Sequence, residues 1–332
     1  MTILRAALLL AAVLALPACS SDAPSAPGTG SGAAGGSGCS GAPTVSDAGG
    51  LRDALAGARP GAVIVLGDGD YTGSFEATAS GTRSQPVTVC GSRRARLVGA
   101  SVDTGYTLHL DGASYWRLRG FTVSGGQKGV VLDGSSHNEL RDLRIEGVGD
   151  EALHLRAGSS DNLVTGAEIR RTGLHDPEYG EGIYVGSAES NWCEVGDCGP
   201  DRSDGNRIVG NDVGGTTAEA VDVKEGTTGG ELRGNLLRGG AGQVDSVVDL
   251  KGNGWDVRSN EVRSQGPDGI QVHVILDGWG RDNRFVGNTF ALGGPGYAVH
   301  LVGDAEDAGN VVGCAQPVTP PGTGEVTNVE CR

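Results

Sequence analysis

The chain has 332 residues and 60 glycines but only four Phe, four Trp and six Tyr. That glycine content excludes a helical protein, since Gly costs about 1 kcal/mol per helix-interior position relative to Ala, and the lack of a three-residue glycine period excludes collagen. With 41 acidic against 26 basic residues, a net charge of −15, there is no global basic field to bind nucleic acid, and an anionic ligand needs a local basic patch or a bridging cation.

From the N-terminus, Arg5 supplies a positive start and residues 6–16 an apolar run too short to span a membrane. Leu16-Pro17-Ala18-Cys19 resembles the lipobox of bacterial lipoproteins, so residues 1–18 are expected to be a signal peptide and Cys19 a lipidated residue. An ordinary signal peptide cleaved before Cys19 is the alternative. Residues 19–38 form a Ser/Gly/Ala/Pro tether that cannot bury a core, and residues 39–332 form the folded domain. Export to the outer face of a bacterial membrane follows. The remaining six cysteines are an even set and predict disulfides in sequential order, Cys39 with Cys90, Cys193 with Cys198 and Cys314 with Cys331. No zinc-type spacing occurs.

Residues 47–58 predict a short helix with Leu51 and Leu55 on one face, followed by strand-like runs at 62–66 and 86–90. An imperfect six-residue repeat follows at 106–111, 128–133, 151–156, 181–186, 219–224, 246–251, 272–277 and 297–302. Its third and fifth positions are apolar throughout, the period of a strand with one buried face. A second column, about ten residues later, holds Phe121, Leu143, Ala167, Asn211, Asn235, Asn260 and Asn288. Stacked asparagines at a turn can pass hydrogen bonds from coil to coil. The usual interval of 22 to 28 residues matches one coil of a β-solenoid. A propeller blade would be about 40 residues or more, and a leucine-rich repeat needs denser leucine. The pattern resembles the right-handed parallel β-helix of pectate lyases. The expected fold is therefore all-β, a single-stranded right-handed parallel β-helix with an N-terminal capping helix, the Cys314–Cys331 tail covering the other end.

Equivalent residues on successive coils then lie ~4.8 Å apart. Outward position four reads His109, Val131, His154, Tyr184, Asp222, Asp249, Ile275 and His300. Position six reads Asp111, Asp133, Arg156, Gly186, Lys224, Lys251, Asp277 and Val302, and position one includes Glu151, Glu181 and Glu219. Like charges facing each other on neighbouring strands are destabilising, which points to a compensating ion; hard oxygen ligands at this spacing suit Ca²⁺. Two stacked lysines lower each other's pKa, which favours a neutral amine able to act as a base. A solvated surface of paired charges is the plain alternative. The coil of Gly186 also carries the longest insertion, 187–205, with Trp192 and two cysteines; long loops on a rigid scaffold are commonly functional. His154, Tyr184, Asp249 and Trp192 are the expected substrate contacts.

Glu219-Ala-Val-Asp-Val-Lys224, followed by Gly226, resembles the metal-Glu and catalytic-Lys segment of polysaccharide lyase family six, which includes alginate lyases and chondroitinase B. Upstream, Asp53-Ala-Leu, Arg59-Pro-Gly, Val63-Ile-Val, Asp68-Gly-Asp-Tyr71, Gly81-Thr and Pro86-Val-Thr-Val resemble that family's cap and first coil. The resemblance implies Ca²⁺ on Glu219 and proton abstraction from sugar C5 by Lys224. This chain has Thr217 where the family has a second Glu, so Glu181 would substitute, with Asp222 or Glu151 completing the shell. It has Lys251 where the family has a catalytic Arg, with Arg156 two coils to the other side. The implied reaction is β-elimination from a uronate: Ca²⁺ neutralises the carboxylate, Lys224 takes the C5 proton, and Lys251 or Arg156 stabilises the enolate. The expected partner is an acidic polysaccharide handled by a monomer, with membrane contact only through Cys19. Two other classes stay open: a glycoside hydrolase using Asp222 and Asp249 as a carboxylate pair, and a non-catalytic polysaccharide-binding surface protein. C5-epimerases share the fold, which alone does not separate them.

Overall fold

A computed structural model describes residues 39, 42–239, 244–266 and 268–332. The expected signal peptide, the lipidation site Cys19 and the tether lie outside the described residues. Three parallel sheets of eleven, ten and ten strands run the length of the domain, and after the first strand, which pairs with the second, each strand pairs with the one three places on in sequence. That order is a solenoid: every coil adds one strand to each sheet. Strand pairing starts at Thr44–Val45 and ends at Glu325–Thr327.

Period-two patterning sets which side chains fill the interior. Val130, Leu153, Ile183, Val221 and Val248 are consecutive register partners in one sheet, and all are fully buried. The helix Ala48–Ala56 closes the first coil, its start capped by the Asp47 carboxylate accepting from the Gly50 N–H, with Leu51 and Leu55 buried against the core. At the other end the tail is a last coil rather than a lid. Its strands Val311–Val312, Val318–Thr319 and Glu325–Thr327 each extend one sheet, and the three disulfides pair in the order expected.

One repeat is displaced. The strand expected within 272–277 is Ile270–His273, with Ile270 and Val272 inward and Gln271 opposite Asp249. Ile275, expected at position four, is 58% exposed in the following loop. The apolar alternation continues through Val274 and Leu276 in the same phase, so a slip of four residues preserves the pattern. Position four of that coil is therefore Gln271, position six His273 and position one Asp268.

The asparagine column is a buried ladder. Asn211, Asn235, Asn260 and Asn288 each accept, through Oδ1, the backbone N–H of the preceding rung at 2.8–2.9 Å, beginning with Ala167. A second ladder escaped the sequence reading: Asn138, Asn162 and Asn206 do the same for Trp116, Asn138 and Asn162. Asn283 and Asn310 resume it for Trp255 and Asn283. Each amide satisfies donors and acceptors of a turn that water does not reach. Asn235→Ala should leave the Asn211 N–H without its partner and remove the side-chain donor to the Ile208 carbonyl, at about 1–3 kcal/mol for the orphaned N–H. Urea denaturation is the measurement, and a loss under about 1 kcal/mol would contradict a structural role for the ladder.

Candidate active site

The strands Leu153–Arg156, Ile183–Val185, Val221–Val223 and Val248–Leu250 lie side by side. Because their odd positions fill the core, His154, Tyr184, Asp222 and Asp249 face outward in register. The turns that enter these strands are stacked as well. Ala152 N–H donates to the Glu181 carbonyl and Gly182 N–H to the Glu219 carbonyl, which brings the position-one glutamates beside the position-four column.

Carboxylate oxygens of Glu181, Glu219 and Asp222 all lie within 4.8 Å of one another. Their charges are compensated unequally. Asp222 accepts from Lys224 Nζ at 2.7 Å and from Lys251 Nζ at 3.0 Å. Against burial, which raises it, the two ammonium groups hold the Asp222 carboxyl below its usual range. Glu181 and Glu219 form no ion pair among the described residues. Burial and then the Asp222 charge push Glu181 well up and Glu219 up to about 7. Lys251 also binds Asp249 at 2.5 Å, and burial leaves the Asp249 carboxyl raised despite that contact.

The depression expected of the stacked lysines is outweighed: Lys224 does lower Lys251, yet both ammonium groups end above the ordinary lysine value. Burial does act downward on Lys224, but Asp222, two residues back on the same strand face, holds its ammonium above the ordinary lysine range. Lys251 is likewise raised against burial by Asp222 and Asp249. Tyr184 packs edge-on to His154 at 4.4 Å between ring centroids and lies 5.0 Å from Lys224 Nζ. Burial, then Asp222 and Glu181, push its phenol up and keep it protonated. Its hydroxyl makes no hydrogen bond among the described residues.

Four other expected site residues are placed differently. Glu151 is outside the carboxylate group: its side chain binds the Lys128 ammonium and His154 Nδ1. His154 is spent between Glu151 and the Gly186 carbonyl, 2.9 Å from Nε2, and is 4% exposed. Trp192 is no open platform, because it is 7% exposed with its indole N–H on the Ser187 carbonyl at 2.9 Å. Its loop is anchored by Asp201, which caps the N–H groups of Ala157 and Gly158 at 3.0 and 2.9 Å. Arg156 pairs with Asp133 at 2.6 Å, two coils from Lys224, and so does not join the carboxylate cluster. Thr217, standing where a second Glu was sought, is wedged between Gly173 and Gly180; a Cβ on either would lie within 1.8 Å of its hydroxyl. Gly186 has φ +79°, and its absent side chain would strike Thr227, so the gap it leaves beside Lys224 is required by the turn.

The Glu151 cluster gives a pH signature. Against burial, His154 and Lys128 lower its carboxyl to about 2 from 4.5. A depressed carboxyl contributes stability that is complete above the unfolded value and lost as pH falls through the folded one. Glu151→Gln should therefore flatten the decline in stability between pH 4.5 and about 2, read by denaturant titration. Parallel curves for the two proteins would contradict this.

No protein-family model matches the chain, and no curated protein sequence does. Among solved structures, an alginate lyase from Paenibacillus sp. str. FPU-7 is similar with 37% identity over 86% of this chain and 98% of that one, at a TM-score of 0.80. The pectate lyase Pel9A shares the fold at 17% identity, over 84% of this chain and 71% of that one, TM-score 0.55. A mannuronic-acid-specific family-six lyase from human gut microbiota does so at 15% identity, over 81% and 67%, TM-score 0.54. The last two show the fold alone; the extent and identity of the first show more, and the chain belongs to the family of the Paenibacillus alginate lyase, as a polysaccharide lyase.

Proposed function

We propose that this lyase cleaves a uronate-containing polysaccharide by β-elimination, assisted by Ca²⁺, as an exported monomer held to the outer face of a bacterial membrane through lipid on Cys19. The observation that carries the reading is the pair of buried Glu181 and half-buried Glu219, beside Asp222 and without cationic partners among the described residues, next to Lys224 and Tyr184. Three carboxylates crowded enough to raise two of their pKa values fit a hard divalent cation. Ca²⁺ held there would neutralise the sugar carboxylate and acidify the C5 proton.

Lys224 is the residue to receive that proton. Asp222 favours its ammonium form, so the amine belongs to the state in which the Asp222 charge is engaged elsewhere. Lys251, locked between Asp222 and Asp249, keeps a fixed positive charge near the developing enolate. The C4–O4 bond then breaks, C4 and C5 become doubly bonded, and O4 needs a proton. The Tyr184 hydroxyl, protonated and uncommitted, is the donor at hand. The hydrolase pairing of Asp222 with Asp249 falls away, because Lys251 binds both carboxylates and the chain is a lyase.

Alginate, the polymer named for the Paenibacillus enzyme, leads the panel of uronate polymers to be tested with Ca²⁺ or chelator for unsaturated product. Lys224→Ala, Lys224→Arg and Tyr184→Phe should each lower kcat by about 100-fold or more with unchanged circular dichroism. An active Lys224→Arg enzyme would falsify the base assignment, since a guanidinium stays protonated.

Metal binding has its own pH dependence. Proton and cation compete for Glu219, whose carboxyl sits at about 7, so calorimetric Ca²⁺ affinity should rise between about pH 6 and about pH 8. Glu219→Gln should weaken binding and flatten that rise. Heats that are absent at both values would remove the metal from the reading.

A further inference from the structure

Toward the N-terminus from Lys224, the outward face opens into a groove of about 370 Å³ lined by Asp111, Asp133, Arg156, Glu194 and Val195. Asp111, Asp133 and Arg156 occupy position six on three consecutive coils. Glu194 and Val195 belong to the short helix Trp192–Val195 of the inserted loop, so a rigid strand floor meets a loop wall. Arg156 lies two coils, ~10 Å, from Lys224 along the solenoid, and the coil between them carries Gly186, with no side chain to divide the two.

The floor is held in place. Arg156 donates from Nε and Nη2 to Asp133 at 2.6 and 3.1 Å, and from Nη2 to the Tyr106 hydroxyl at 2.9 Å. Its guanidinium also stands 5.6 Å from the Tyr106 ring centroid. Of its five N–H donors, the two on Nη1 have no partner among the described residues. Asp111 and Glu194 are exposed and make no side-chain hydrogen bond or ion pair among the described residues. The groove thus presents fixed donors and acceptors that the protein does not satisfy itself. Three carboxylates against one guanidinium disfavour a further carboxylate inside it but suit sugar hydroxyls, which both donate and accept.

We propose that this groove is a sugar subsite remote from the chemistry, taking a residue of the polysaccharide by its hydroxyl edge with the carboxylate turned to solvent. The identity of the polymer rests on the β-elimination reading; the subsite does not. The test is the Asp111→Ala/Glu194→Ala double variant, assayed on uronate oligosaccharides of increasing length. The ratio of kcat/KM for long over the shortest cleavable oligosaccharide should fall about tenfold, the loss of one or two hydrogen bonds to hydroxyls. An unchanged ratio overturns the proposal, whether both substrates are unaffected or both suffer equally from a distorted loop. A higher ratio also overturns it, because the carboxylates would then only repel an acidic chain. If the wild-type enzyme yields no unsaturated product, the β-elimination reading fails by itself. Affinity electrophoresis through gels holding each polymer then tests the groove alone: weaker retardation of the double variant supports it, and equal retardation sinks it.

Discussion

In-register parallel stacking is the constraint on which everything else in this molecule depends. Each residue is laid ~4.8 Å from its counterpart on the next coil, so a column is either self-complementary or costly. Aliphatic columns are self-complementary through packing, and the asparagine columns through an amide that donates on one side and accepts on the other. Carboxylate columns are neither. The proposed site lies where the scaffold tolerates the costly kind.

The contrast within one chain makes this concrete. On a different sheet, Glu231 also has a carboxylate, Asp256, as its register partner on one side, yet it is clasped by Arg207, Arg233 and Arg258 at 2.9, 2.7 and 2.6 Å. Its carboxyl is lowered to about 2. Glu151 is neutralised in the same manner by Lys128 and His154. Glu181, buried, and Glu219, half-buried, share the stacking without such partners among the described residues, and their carboxyls move up instead. Buried charge left uncompensated costs stability, so the contrast with Glu151 and Glu231 is what supports the proposed role of these two as ligands for a cation.

Much of this was legible in the sequence because a solenoid turns sequence interval into spatial neighbourhood. Seven of the eight runs located the inward column, the four asparagines located a ladder, and Glu219-Ala-Val-Asp-Val-Lys224 located the carboxylate group. What stayed hidden has three physical causes. Period-two alternation is blind to slips by an even number, which concealed Gln271, His273 and Asp268. A column reading sees the coil above and below but not the same strand face two residues away, which is where Asp222 reverses the expected shift of Lys224. And a loop residue such as Trp192 carries no column at all, so nothing in its spacing said whether it would roof the site or be buried beneath its own loop.

The division between columns and loops also explains how a periodic scaffold acquires a specific site. The backbone ladders on either side of the site coil are unbroken: Leu153 pairs with Ile183, Ile183 with Val221 and Val221 with Val248. Insertions before and after Ile183–Val185 leave that register intact, because each begins and ends at a turn. The neck of the earlier one closes on Gly173, Gly180 and Thr217. The later one is pinned by Asp201 to the backbone after Arg156 and by the Glu225 carboxylate to the Glu189 N–H at 2.7 Å. The strands therefore fix the groups of the candidate site to within the tolerance of a β-sheet, while the loops, anchored at both ends, shape what reaches them. A change in loop length alters access without moving Lys224 relative to Asp222 or Tyr184, which is how one coil can be specialised while the rest of the solenoid keeps its period.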